Sequence, residues 1–196
     1  MPDSADTWRC FVAVQVAAPL RRAVAASMAT WQADPVAPDL RWTEPSGWHV
    51  TLAFLGPTDR ARIPDLVTAL AAAVQPIAPF RLAAGGVGAF PRPGAAQAVW
   101  YGFRDPDREL ADLAARIQAA LLPPGARHGF HAHLTLGRSR VRGGQPLTDW
   151  LATLEPPDGS LPVRAVSLFR SHLARGPAQY EALATVLLGG AGSAHG

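Results

Sequence analysis

The sequence predicts an α+β chain: two pseudo-symmetric lobes of antiparallel-rich sheets, with outer helices and a central cleft carrying one H-x-T motif per lobe. Three observations predict it. The tetrapeptide His49-Val50-Thr51-Leu52 is echoed by His133-Leu134-Thr135-Leu136. With six His and ten Thr in 196 residues, random placement gives about a third of one H-x-T match. Helix-like segments separate strand-like ones throughout. No composition shift marks a flexible linker between the two motif-bearing halves, so the lobes should not fold independently.

Taken in order, residues 1–7 are expected to be a disordered tail, residues 8–188 a single bilobal domain, and residues 189–196 a second disordered tail. Residues 9–16 alternate as a strand. Leu20, Val24, Met28 and Trp31 then fall at helical spacing until Pro35 and Pro38 end the run. A short strand at residues 40–43 leads to the first motif strand, residues 48–55, closed by Gly56 and Pro57. Ile63, Leu66, Val67, Leu70 and Val74 mark a second amphipathic helix, capped by Thr58 or Asp59 and stopped near Pro76. Strands follow at residues 80–88 and 96–103 around the turn-rich Pro91, Arg92, Pro93 and Gly94. Asp105 or Asp107 caps a third helix carrying Leu110, Leu113, Ile117 and Leu121, which Pro123, Pro124 and Gly125 break. The second motif strand covers residues 132–138. A short helix is expected at residues 147–154, and residues 163–174 and 179–188 form a hairpin around Arg175, Gly176 and Pro177.

The motifs carry chemistry because strand side chains alternate. His49 and Thr51 share one face while Val50, Leu52 and Phe54 take the other. His133 and Thr135 repeat this over Leu134 and Leu136. Two facing imidazoles suit metal-free phosphodiester chemistry: one takes a proton from the nucleophile and the other gives one to the leaving oxygen.

Composition sets bounds. The chain is 48% hydrophobic and 17% charged, as an ordered globular protein is, and no apolar run approaches the ~20 residues of a membrane span. The first residues lack a secretion signal, and Cys10 is the single cysteine, so a cytoplasmic location is expected and a cysteine-rich zinc site is excluded. All 18 basic residues are Arg. Arg grips phosphate bidentately, but a net charge of +3 is weak evidence for nucleic acid.

The motif blocks resemble the 2H phosphoesterase superfamily, and within it the RNA 2′,3′-cyclic phosphodiesterases, also called 2′-5′ RNA ligases. Arg9-Cys10-Phe11-Val12-Ala13-Val14 resembles the family's opening strand. Arg41-Trp42 with the block from Trp48 to Gly56 is similar to its first motif region. Gly88-Ala89-Phe90-Pro91 with Ala98-Val99-Trp100-Tyr101-Gly102, the block from Phe130 to Arg138, and Leu168 to Leu173 with Gly176 and Tyr180 complete the likeness. Ala132 departs from the Pro common before the second histidine. The resemblance implies metal-independent hydrolysis of 2′,3′-cyclic phosphate ends to 2′-phosphates, reversible as 2′-5′ ligation. It implies no cofactor, no membrane association, and RNA, oligonucleotides or small cyclic nucleotides as partners of a monomer. His49 and His133 would be catalytic, with His49 inclined to acid and His133 to base, an assignment the symmetric motifs leave open. Thr51, Thr135 and Arg138 would bind phosphate. Phe54 and Trp42 are candidates for stacking a base.

Each residue also has a plainer role. Phe54 has core parity, Trp42 is a typical packing residue, and Arg138 falls on the wrong face unless Gly137 introduces a bulge. His131 shares parity with His133 but lacks a third metal ligand, which makes it a rim residue. His128 and His172 read as surface positions and His195 as tail. The alternative to an enzyme is a binding module that holds a nucleotide or RNA end in the same cleft without turnover.

Overall fold

Alternation at the start of the chain becomes strand β1 (Thr7–Gln15), which sends Cys10, Val12 and Val14 into the core. The computed structural model describes residues 6–35, 37–126, 128–172 and 178–190. The expected turn at Arg175, Gly176 and Pro177, His195, and most of both tails lie outside these residues. Helix α1 (Ala18–Ala33) buries the four residues its spacing singles out, Leu20, Val24, Met28 and Trp31. Then come β2 (Leu40–Trp42), the first motif strand β3 (His49–Asp59), α2 (Ile63–Val74), β4 (Phe80–Phe90), β5 (Ala98–Arg104) and α3 (Glu109–Leu121). The second motif strand β6 (His133–Ser139), α4 (Thr148–Thr153), β7 (Ser160–Val163), β8 (Ala165–His172) and β9 (Gln179–Leu187) complete the order.

Among the described residues the strands form two antiparallel sheets, ordered β3-β1-β8-β9 and β2-β6-β5-β4-β7, with one motif strand in each. Each sheet turns one face to a common interior. Val12, Val50 and Leu52 from the first meet Leu134 and Leu136 from the second and Leu70, Leu113 and Ile117 from the helices. Each such side chain contributes about 1.5–3 kcal/mol on burial. Helices α2 and α3 pack together over the first sheet, α3 against β3 and α2 against β9. Helix α1 lies beneath the second sheet, where Gly159 leaves room for Leu20 beside Tyr101. The helices therefore occupy the faces opposite the cleft, as the sequence predicts.

Several boundaries differ from expectation. Gly56 and Pro57 do not close the first motif strand. Gly56 takes φ +68° at a register shift, and pairing with β1 resumes through Trp8 with Thr58 and Thr7 with Asp59. As an edge strand, β3 tolerates a proline without an N–H. Asp59 is the cap, accepting from the Ala61 amide at 2.9 Å in a short 3₁₀ turn before α2, whereas the Thr58 hydroxyl donates to the Gly56 carbonyl. Asp105 caps α3 by accepting from the amides of Leu110 and Ala111. The strand-like segment after residue 160 divides: β7 pairs with β4 in one sheet and β8 with β1 in the other, the chain changing sheets at Arg164. Parts of the expected tails that lie among the described residues are tied to the fold. Thr7 belongs to β1, the Asp6 carbonyl accepts from Arg60, and the Gly190 amide donates to Ile77.

Candidate active site

Both motif strands carry the same irregularity at the same place. Opposite Val12 and Ala13 of β1 stand Ala53 and Thr51, so Leu52 is an extra residue in β3. Opposite Val99 and Trp100 of β5 stand Gly137 and Thr135, so Leu136 is extra in β6. Such a bulge shifts the alternation by one residue. Leu52 and Ala53 both turn inward, as do Leu136 and Gly137, and the next residue of each strand swings to the cleft face. Phe54 is therefore 61% exposed rather than core, and it lies opposite Phe11. Arg138 emerges beside His133 and Thr135, the three lining a cavity of about 320 Å³ with Phe90, Pro91, Gln97 and Ala98. The bulge that turns Arg138 to the cleft comes at Leu136, one residue before the expected Gly137.

Each bulge has a carbonyl held by a distant residue. Gln118, buried in α3, donates its amide to the Leu52 carbonyl at 3.0 Å and accepts from the His128 amide at 3.1 Å. Thr43 donates its backbone N–H to the Leu136 carbonyl at 2.8 Å, and its hydroxyl lies 2.9 Å from the carbonyls of Thr135 and Leu136. The Trp48 indole in turn donates to that hydroxyl.

The two imidazoles are anchored identically. His49 Nδ1 lies 2.7 Å from the Gly47 carbonyl, and His133 Nδ1 lies 2.8 Å from the His131 carbonyl. A carbonyl only accepts, so Nδ1 carries the proton in both rings and Nε2 is the nitrogen left to exchange one. Burial pushes the pKa of His49 below the ordinary 6.5, the Gly47 bond offsets part of this, and the charge of His133 adds to the fall. His133 is lowered by burial first, opposed by its bond to the His131 carbonyl, then lowered further by His131 and Arg138. Among the described residues neither the Thr51 nor the Thr135 hydroxyl has a protein partner, which leaves both to donate into the cleft.

Aromatic rings complete the walls. Phe11, Phe169 and Tyr180 surround His49, with ring centroids 4.7, 6.1 and 4.9 Å away. On the other side Phe90 stands edge-on to His133 at 4.9 Å, and Trp100 lies 4.7 Å from His131. Trp100 faces the cleft because it pairs with Thr135, and its ring rests where side chains at Gly88 and Gly102 would stand. Sequence reasoning placed these rings in strands, except Phe90, which fell just beyond the strand expected at residues 80–88, and assigned none of them to the site. The strands of Phe11, Trp100 and Phe169 are largely apolar on both faces, so alternation gives no direction; the available signal was Trp100-Tyr101-Gly102, a small residue on the same face as the tryptophan. Trp42 is not a cleft residue. It pairs with Gly137, on the inward side of the bulge, and its ring meets Trp150 at 6.3 Å. His131 is an exposed rim residue, His128 lies against Phe54 at 5.9 Å, and His172 pairs with Glu181 at 2.9 Å. Among the described residues no group of three or more His, Cys, Asp or Glu side chains is gathered as metal ligands. None of the helices is long and apolar enough to cross a membrane.

Comparison with known proteins agrees with this geometry. The chain is 29% identical over 185 residues to the RNA 2′,3′-cyclic phosphodiesterase of Geobacillus stearothermophilus, a match covering 92% of this chain and 57% of that protein. The protein of the same name from Archaeoglobus fulgidus is 37% identical over 97 residues, 48% of this chain and 53% of its own length. The chain thus spans little more than half of these two curated relatives. Crystal structures of Escherichia coli LigT superpose on nearly the whole fold. The apo form gives a TM-score of 0.74 at 27% identity over 93% of this chain and 98% of LigT, and the complex with 3′-AMP gives 0.72 at 29% over 94% and 99%. The sequence profile of the 2′-5′ RNA ligase superfamily matches residues 17–175, which include both H-x-T strands and their bulges, and the chain belongs to that superfamily.

Proposed function

We propose that the chain is a metal-independent phosphodiesterase that opens 2′,3′-cyclic phosphate ends of RNA or nucleotides to 2′-phosphates, and that a 5′-hydroxyl attacking in place of water joins ends reversibly through a 2′-5′ linkage. The observation that carries this reading is the matched anchoring of His49 and His133, which commits Nε2 of each ring to proton exchange. His133 is the base: burial first, then His131 and Arg138 beside it, favour its neutral form. It takes a proton from water as the oxygen attacks phosphorus. His49 gives a proton to the departing ribose 3′-oxygen. The rings of Phe11, Phe169 and Tyr180 hold its imidazole in place, and the anionic substrate supplies the charge that offsets the lowering of its pKa by burial. Thr51 and Thr135 donate to the non-bridging oxygens as charge builds on them. The relatives named RNA 2′,3′-cyclic phosphodiesterase support the substrate class.

The test is incubation of a nucleoside 2′,3′-cyclic phosphate in EDTA, with products resolved by phosphorus NMR. Conversion to the 2′-phosphate is expected, with a bell-shaped pH dependence. A dominant 3′-phosphate would reverse the substrate's orientation and exchange the roles of the histidines. Activity lost in EDTA and restored by Zn²⁺ would overturn the metal-free mechanism. Unchanged but bound substrate would make the chain a binding module.

A further inference from the structure

Arg41 and Arg138 stand directly opposite each other across the β2–β6 ladder. Opposed residues share a sheet face, so Arg41 joins Arg138 on the cleft side. Two like charges facing each other about 5 Å apart across a ladder repel and destabilise the pair. Among the described residues neither guanidinium has a carboxylate within 4.0 Å; the ion pairs use Arg108, Arg140, Arg170 and His172. A third donor reaches the same place from the other sheet. Tyr180 of β9 stands edge-on to His49, over Gly47, where a side chain would meet its ring. Burial pushes its hydroxyl pKa up, and the charges of both Arg138 and Arg41 pull it partly back.

The position of this cluster along the cleft has a clear meaning. Phe54, beyond His49 in β3, meets His128, upstream of His133. Arg138, beyond His133 in β6, acts on Tyr180 beside His49. The motif strands therefore run antiparallel, and the cleft has an aromatic end and a cationic end with the histidines between them. We propose that Arg41, Arg138 and Tyr180 bind a second phosphate, the one on the 5′ side of the terminal nucleoside, so that the chain prefers a strand end over a lone cyclic nucleotide. The proposal rests on the phosphodiesterase reading above. Guanidinium forks match phosphate oxygens bidentately, and an anion between two of them turns their repulsion into attraction.

Three substrates test it: a nucleoside 2′,3′-cyclic phosphate, the same compound with a 5′-phosphate, and a dinucleotide ending in a 2′,3′-cyclic phosphate. Wild-type kcat/KM should be higher for the compounds with a second phosphate. Arg41→Gln should cut that advantage about tenfold, mostly through KM, as loss of a charged hydrogen bond does. It should also lower the slope of log K against log salt by about 0.7. Arg41→Lys should restore part of the loss. Its unfolding midpoint should match or exceed wild type in Arg41→Gln, because a repulsion is gone. A gain with both phosphorylated compounds assigns the site to any 5′-phosphate, and a gain with the dinucleotide alone assigns it to an internal diester. An equal loss on all three substrates, or none, overturns the proposal. If wild type turns over none of the three, the hydrolase reading fails instead. Calorimetric binding of a 3′-phosphorylated dinucleotide then judges the clamp by itself: unchanged affinity in Arg41→Gln overturns it.

Discussion

Gln118→Leu removes the side chain that hydrogen-bonds the first motif strand to the third helix. Leucine keeps most of the buried volume, so the change isolates two hydrogen bonds: the one to the Leu52 carbonyl and the one from the His128 amide. Gln118 is 2% exposed, and water cannot easily replace it at Leu52. A buried polar group left without a partner costs about 1–3 kcal/mol. The His128 amide, nearer the surface, falls at the low end, giving about 2–4 kcal/mol in total. In a chain of this size each kcal/mol moves the unfolding midpoint by about 2–4 °C, so a fall of about 4–16 °C is expected. Scanning calorimetry measures it, and amide exchange at His128 should accelerate relative to the rest of the fold. Turnover should fall as well, because the Leu52 bulge aims Thr51 and Phe54. A midpoint within about 2 °C of wild type would show that the bulge holds without Gln118 and would refute this account.

His49→Ala and His133→Ala should each lower kcat by about 10²–10⁴, and the double variant should be little worse than either, because the two imidazoles serve one concerted proton transfer. Thr51→Ala and Thr135→Ala should cost less. Rapid-quench turnover with circular dichroism to confirm folding decides this, and near-wild-type rates in either histidine variant would exclude that residue. Burial holds both histidines below their ordinary pKa of 6.5. The unfolded chain therefore binds more protons than the folded one as pH drops below that value; stability should be full above pH 6.5 and fall toward the lowered pKa values. Urea midpoints across that range should show this fall, and the double His variant should flatten it. Gly88→Ala places a methyl group against the Trp100 ring. Overpacking of about 1–3 kcal/mol and a shifted tryptophan emission are expected, and an unchanged spectrum and midpoint would mean the ring is not seated there.

Much of the architecture was legible in the order of residues because periodicity survives folding. The spacing of Leu20, Val24, Met28 and Trp31 marked the buried stripe of α1, and both H-x-T strands lie where alternation put them. The bulges were not legible. An inserted residue changes parity without changing composition, so Phe54 read as core and Arg138 as misdirected, although Gly137 hinted at the second case. The sheet exchange at Arg164 was hidden because the residues on both sides of it read as strand and a single Arg does not mark a break. Trp42 read as a stacking candidate because residue type alone does not say which side of a two-sided strand it occupies. Pairing partners settle that, and they lie 90 or more residues away in sequence.

The two anchors bear on how the site comes into being. Gln118, in the helix that follows the second sheet's central strand, holds the first bulge, and Thr43, the residue after that sheet's edge strand β2, holds the second. The second motif is thus clasped from within its own sheet, whereas the first borrows its clasp from chain that has just left the other sheet. His133 and Thr135 need only the second sheet to be shaped; His49 and Thr51 need α3 seated against β3 as well. Two motifs matched in form are therefore unequal in what must be assembled around them, and the docking of α3 is the step that completes the pair.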